Sequence, residues 1–317
     1  MIARLASAPI LLALMAILMG TGIDAMIKGI APNAGLHHLL AWRFLFGALI
    51  ALVIFRARKR PRPGGAAIRF HTMRGLIQVA TAFLFFYALT QLKLAEATTI
   101  GFTAALMVPG VAWLLLGERI TPVAMFATLF GFAGAALAVS GAAPTEIVSN
   151  NRTLGLIAAF TSALLYALVL VMLRMRATHE DATTIAMFTN VVPALALLPI
   201  SLGFPLVDLV WQGAAETSLS PHWPDLAYFA MFGVLGYSVW YLMTLAYAQA
   251  PAQRLAPLEY TSLIWSALLG VVFFAEVPGW RLWAGAGLII IACLIVAFED
   301  RFRTRTKAGL PASDLPE

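Results

Sequence analysis

The chain has 317 residues, of which 61% are hydrophobic and 11% charged, against about 45–50% and about 25% in soluble globular proteins. This composition excludes a water-soluble fold, a disordered chain and a collagen, and the lone cysteine, Cys293, excludes a disulfide scaffold. The net charge of +6 comes from residues between apolar runs and not from a basic domain, so it reads as a topology signal and argues against nucleic acid as a partner.

Apolar runs of about 20 residues, the length that crosses a bilayer as a helix, occupy 8–27, 36–55, 75–92, 97–116, 122–140, 153–173, 182–202, 226–248, 255–275 and 279–298. The runs are continuous and do not alternate, which rules out a transmembrane β-barrel and predicts an all-α polytopic membrane protein of ten transmembrane helices. The first run is closed by Asp24 and Lys28 with no small-x-small cleavage site, so it is expected to be retained. Placing the N-terminus in the cytoplasm puts sixteen of the twenty-one Lys and Arg residues on that side: Arg4, the connection from Arg56 to Arg74, Arg119, Arg174, Arg176, Arg254, and Arg301 to Lys307. Since that excess marks cytoplasmic connections, both termini are predicted to be cytoplasmic, with 299–317 as a tail. The longest outer connection, about 203–225, carries Asp208, Glu216 and Asp225 and no Lys or Arg.

Shifting the chain by 158 positions superposes 88–140 on 246–298 without a gap, aligning Ala88 with Ala246, Gln91 with Gln249, Phe102 with Tyr260, Thr103 with Thr261 and Glu118 with Glu276. Chance similarity between apolar segments is the competing explanation. Taken as a repeat, the chain divides into 8–140 and 153–298 with five spans each. Five is odd, so the halves run through the membrane in opposite directions. Inverted halves that rock about a shared midplane site are how many secondary transporters work, and alternating access of a small solute is the function predicted here. The alternative is a non-transporting receptor or assembly subunit.

Ionisable residues inside a span are costly, about 2.5–3.5 kcal/mol at mid-membrane on insertion scales, and mark a pathway or a paired structural site. Asp24, Arg43 and Glu259 are three such residues. Asp24 and Arg43 lie at similar depth in the first two spans, either as a structural ion pair or with Arg43 holding a substrate carboxylate or phosphate while Asp24 positions it or titrates. In the ninth span Glu259, Ser262, Ser266 and Gly270 form a narrow polar stripe, which lets a helix approach closely or lines a wet cavity with Glu259 as a proton or cation site. Pro257 just before it is expected to loosen the helix start. In the eighth span Tyr237, Trp240, Tyr241, Thr244 and Tyr247 share an arc of about 120°. Ordinary packing explains such a row, as does a wall for a planar or cationic solute. Tyr87 and Gln91 form a polar pair in the third span. Ala127, Gly131 and Ala135, at every fourth position in the fifth, read as a helix contact surface. Glu118 and Glu276, at span ends, are expected to cap helices or pair with Arg119 or Arg281.

The run Leu114-Leu115-Leu116-Gly117-Glu118-Arg119-Ile120-Thr121, followed by Gly131 and Gly134, resembles the signature of the drug/metabolite transporter superfamily, in particular its EamA group. Phe273-Phe274-Ala275-Glu276 with Gly285 resembles a second copy, and Trp42-Arg43-Phe44 resembles the family's second-span arginine. Ala127, Ala292 and Val277 depart from the pattern. The resemblance implies ten helices around a central cavity and transport of small metabolites such as amino acids or their derivatives. Asp24-Ala25-Met26-Ile27-Lys28, with an arginine in the next span, is similar to bacterial members that import S-adenosylmethionine or riboflavin, and so implies a bacterial inner membrane.

No enzyme is predicted. The zinc helix His-Glu-x-x-His is absent, and all five histidines lie at or beyond span ends. Gly-x-Ser-x-Gly and the phosphate-binding Gly-x-x-x-x-Gly-Lys are missing as well. Acidic pairs are too sparse for a magnesium-diphosphate site. Neither a cofactor nor a metal is expected. The expected partners are a small-molecule substrate, the lipid bilayer and a coupling proton or cation, with monomer and homodimer both left open.

Overall fold

The computed structural model describes residues 8–30, 36–92, 94–140, 151–201, 223–275, 277 and 279–308. The described residues are helical and contain no strand. In chain order the helices are α1 (Pro9–Ile30), α2 (Leu36–Ala57), α3 (Gly65–Gln91), α4 (Leu94–Leu116), α5 (Pro122–Val139), α6 (Arg152–Ala177), α7 (Ala182–Ser201), α8 (Trp223–Gln249), the short α9 (Ala252–Leu255), α10 (Thr261–Phe274) and α11 (Trp280–Ala308). A 3-10 turn, Ala256–Tyr260, joins α9 to α10. Seven helical stretches among the described residues are long and apolar enough to cross a membrane: Pro9–Met26, Leu40–Ala57, Ala97–Leu116, Pro122–Val139, Arg152–Ala177, Ala227–Gln249 and Ala252–Phe273. Ala182–Leu197 and Trp280–Val296 are shorter apolar helices. The chain is a multi-pass membrane protein. Glu276, Lys93, most of the predicted outer connection and the last nine residues lie outside the described residues.

Local chemistry sets the helix ends. Pro122 supplies the pre-set φ at the start of α5, and the Thr121 hydroxyl accepts from the Ala124 N–H at 3.2 Å. Asp181 does the same for α7, accepting from the Thr183 N–H at 3.0 Å. After α4, Gly117 takes φ +65°, the left-handed conformation that closes a helix at no steric cost to glycine. Pro257 lies in the 3-10 turn, so the predicted single ninth helix is instead a short α-helical turn, a 3-10 turn and then α10. A proline without an N–H cannot continue the α-ladder there.

Large apolar side chains face outward, with Leu114 74% and Val272 72% exposed, while small ones fill the centre: Ala16, Ala51, Ala112, Ala127 and Ala167 are fully buried. This is the pattern expected where lipid offers no hydrophobic drive and helices gain by close approach. The tightest crossing is α5 on α11, where a Cβ added at Gly134 would lie 2.8 Å from the Gly285 carbonyl oxygen. Ala127, Gly131 and Ala135 are all buried in α5, as a contact surface requires. The principal contacts besides α5·α11 are α2·α7, α3·α6, α1·α8, α4·α6, α2·α8, α3·α7, α7·α8, α4·α5 and α1·α10.

Two expectations need correcting. Glu118 does cap a helix, its Oε2 accepting from the Ala252 N–H at the start of α9 at 3.1 Å, but its ion-pair partner is neither Arg119 nor Arg281: its Oε1 accepts from Arg174 Nε at 3.0 Å. Arg281 instead donates to the Ser140 carbonyl. Packing of α4 beside α6 brings Arg174 within reach, which chain proximity does not reveal. Each charge-assisted bond contributes about 1.5–3 kcal/mol, so Glu118→Ala should cost at least about 2 kcal/mol, read as an earlier thermal unfolding transition of the detergent-solubilised protein. Arg74, assigned to the cytoplasmic connection, is the second. Helix α3 begins ten residues before the predicted span and carries Arg74 into the bundle, where it is 1% exposed.

Candidate functional site

The interior between the helices holds two clusters of polar side chains. The first is built on the 3-10 turn. Glu259 Oε2 accepts from the Tyr166 hydroxyl of α6 at 3.4 Å, and Oε1 is buried with no hydrogen-bond partner. Tyr247 and Tyr260, both fully buried, have hydroxyls that are also without partners, and the Tyr247 ring lies within electrostatic range of Glu259. The 3-10 turn leaves Glu259 pointing toward α6, while the Ser262 hydroxyl donates back to the Glu259 carbonyl at 2.7 Å.

The second cluster lies between α2, α3, α7 and α8. Tyr237 and Tyr241 stack with ring centroids 5.9 Å apart. Trp240 faces Arg74, whose Cζ lies 5.9 Å from the ring centroid, and Arg58 lies 5.2 Å over Tyr241. Arg58, just past α2, donates to Thr183 at 2.9 Å and to the Tyr241 hydroxyl at 3.1 Å; the Tyr241 bond raises its guanidinium above the ordinary value. Arg74 donates to the Thr189 hydroxyl. Asn190, the next residue, donates to the Ala186 carbonyl and packs against Gly47 and Gly236.

Arg43 lies above this cluster beside Gly236, with its Nε buried and unpartnered. Asp24 is its electrostatic partner and also acts on Tyr166, so the two residues stand between the clusters. Asp24 itself is exposed.

Arg43, Glu259, Tyr237, Trp240 and Tyr241 are therefore brought to the interior, whereas Asp24 is exposed. Thr244 is buried on the same helix, but its hydroxyl donates to the Trp240 carbonyl at 2.6 Å. Tyr247 leaves the aromatic row for the Glu259 cluster. Tyr87 packs against Ala88, Leu92, Ala97, Ala158 and Ala159, and the Gln91 Cβ approaches Gly155, so both lie in the α3·α6 contact. Sequence reasoning missed Tyr166, Thr183, Thr189, Arg58 and Arg74. Of these, the Thr189-Asn190 pair and Tyr166 interrupt apolar runs and were visible in principle, whereas Arg58 and Arg74 were hidden in a charged connection.

The sequence profile of the EamA-like transporter family matches residues 7–140 and again 153–298. Among curated relatives, a riboflavin transporter of Brucella anthropi is 27% identical over 84% of this chain and 89% of its own length. A riboflavin transporter of Rhizobium johnstonii is 29% identical over 84% and 82%. An S-adenosylmethionine uptake transporter of Rickettsia prowazekii is 24% identical over 88% of each. A crystal structure 22% identical in sequence superposes with a TM-score of 0.75 over 92% of this chain and 98% of the other, which establishes the fold. These matches favour transport over a receptor or assembly subunit. With two profile matches spanning the helical bundle and polar clusters enclosed within it, the chain belongs to the EamA-like transporter family.

Proposed function

We propose that the protein is a secondary carrier of planar, polar metabolites of the flavin or nucleoside class, working by alternating access in a bacterial inner membrane. The observation that carries this reading is the row of Tyr237, Trp240 and Tyr241 along α8, with Tyr237 and Trp240 buried, in a bundle that also holds the Glu259 carboxylate with one oxygen buried and unpartnered. Aromatic faces stack on any planar ring and buried polar atoms fix its orientation. The names of the riboflavin and S-adenosylmethionine relatives support the same class.

Ten spans are counted in this reading, with α9, the 3-10 turn and α10 forming one, and both termini cytoplasmic. The halves, 8–140 and 153–298, are inverted copies. Support comes from the packing: exchanging each helix for its counterpart in the other half turns α1·α8 into α6·α3, α4·α6 into α10·α1 and α2·α8 into α7·α3, while α2·α7 and α5·α11 map onto themselves. Most of the principal contacts pair in this way, as a two-fold axis requires, with α7·α8 the exception, because its counterpart α2·α3 is slight. Residues 299–317 form the tail, begun as a continuation of α11.

Removing a stacking platform loses about 1–3 kcal/mol per ring. Trp240→Leu in proteoliposomes should therefore raise the KM for riboflavin or S-adenosylmethionine about fivefold or more, with flux normalised to folded protein because Trp240 is buried. Saturable flux of neither solute by the unaltered protein, or flux that Trp240→Leu leaves unchanged, would overturn the reading.

A further inference from the structure

Buried polar atoms that lack partners call for an explanation, commonly a ligand or an ordered water. Outside the Glu259 cluster, such atoms include two of Arg74 itself, Nε and Nη1, and Gln78 Oε1 one turn along α3. Arg74 is 1% exposed. Its guanidinium carries five N–H donors, and its hydrogen bond is from Nη2 to Thr189.

The nearby carboxylate does not complete it. Glu180 acts on Arg74 electrostatically, but its Oε2 contacts His71 Nε2 at 2.6 Å and its Oε1 accepts from Arg176 at 3.0 Å. A purely structural arginine this deeply buried is normally paired, because an uncompensated buried charge is costly. Its position beside the Trp240 ring adds a second constraint. Arg58 and Arg74 already lie against Tyr241 and Trp240, so a cationic solute approaching that face would meet two guanidinium groups. A planar solute with a negative group would instead supply the acceptor that Arg74 lacks.

We propose that Arg74 and Gln78 form an anion subsite at the base of the aromatic row, where they take the phosphate or carboxylate of a planar solute whose ring lies against Trp240 and Tyr237. The subsite deepens the carrier reading and rests on it. In this conformation the bond from Arg58 to Thr183 and the 2.8 Å ion pair of Arg60 and Asp181 hold the end of α2 to the start of α7, and the bond from Arg58 to Tyr241 holds it to α8, beside the subsite. Release of an anionic solute toward that end requires these contacts to separate.

The test uses the full-length protein in detergent and two matched pairs of ligands, riboflavin with flavin mononucleotide and indole-3-acetamide with indole-3-acetate. Affinities are read by tryptophan fluorescence, with inorganic phosphate as a competitor. The expected result is at least a tenfold preference for the anionic member of one pair. The preferred pair tells phosphate from carboxylate. Arg74→Gln should remove the preference while leaving the neutral member's affinity within twofold, and Arg74→Lys should keep part of it, since an ammonium retains the charge without the fork. Competition by inorganic phosphate at millimolar concentration supports the subsite as well. Gln78→Leu, which leaves the guanidinium in place, should reduce the preference severalfold and gives an independent reading if Arg74→Gln does not fold. No preference in either pair, or equal loss of both members in Arg74→Gln, overturns the proposal. Riboflavin flux without any anion preference overturns the subsite alone and leaves the carrier reading standing.

Discussion

Glu259→Gln is expected to lower the initial rate of solute uptake into proteoliposomes at least about tenfold while leaving the thermal unfolding temperature unchanged or slightly higher. The two halves of this expectation follow from the same geometry. Glu259 is held within the bundle by one long contact, 3.4 Å from the Tyr166 hydroxyl, with its other oxygen unpartnered. A carboxylate in that position contributes little to folding, because removing charge from water costs more than one weak hydrogen bond returns. Glutamine keeps the shape and the acceptor but cannot exchange a proton or hold a cation. A role in coupling therefore disappears, whereas a packing role survives. A transmembrane pH gradient, acid on the side of uptake, should accelerate the unaltered protein and not Glu259→Gln. Tyr166→Phe should reproduce part of the loss, because it removes the hydroxyl that orients the carboxylate. Uptake by Glu259→Gln at the native rate, with the native response to the gradient, would remove Glu259 from the mechanism.

The largest effect on the fold is expected at Gly285. Its backbone and that of Gly134 touch where α5 crosses α11, and a Cβ added at Gly285 would run into the Gly134 carbonyl oxygen and fall 2.8 Å from the Ala138 Cβ and 2.9 Å from the Ala138 nitrogen. The first neighbour is backbone, which cannot rotate away. Overpacking a core with flexible neighbours costs about 1–3 kcal/mol, and a clash with backbone should exceed that range. Gly285→Leu is thus expected to prevent recovery of monodisperse protein from detergent, or to lower its unfolding temperature by several degrees. Gly287→Leu provides the control, because a Cβ there meets nothing within 4 Å. Equal behaviour of the two variants in size-exclusion chromatography and thermal unfolding would show that the α5·α11 crossing does not depend on its glycines.

The legible parts of the molecule were those that depend on hydropathy and chain order. The apolar runs gave the helices, because in lipid every backbone N–H and C=O must be satisfied within its own segment. Ala127, Gly131 and Ala135 in α5 signalled a helix contact surface, and all three are buried there. Charge placement was less transferable. Counting Arg56 to Arg74 as one cytoplasmic connection treated its arginines alike, yet Arg58 ends on Tyr241, Arg60 pairs with Asp181 and Arg74 enters the bundle. The aromatic row behaved similarly. Helical periodicity placed Tyr237, Trp240, Tyr241 and Tyr247 on one broad arc, but Tyr247 turns to Glu259 while the others meet arginines of α2 and α3.

By itself, then, the amino-acid order determined that this is a helical membrane protein, where most of its helices begin and end to within a turn or so, though α3 starts well before and α11 ends well after its apolar run, and which few side chains carry charge or hydroxyls at depth. Those properties are local, being fixed by hydration cost and by backbone hydrogen bonding along one segment. Only the tertiary structure decided which of these groups meet. Glu259 with Tyr166, Arg74 with Thr189 and Trp240, and Glu118 with Arg174 and the start of α9 join residues that are between 56 and 166 positions apart. Such pairs depend on how helices cross, which the small residues at the contacts set and no periodicity along a single helix encodes.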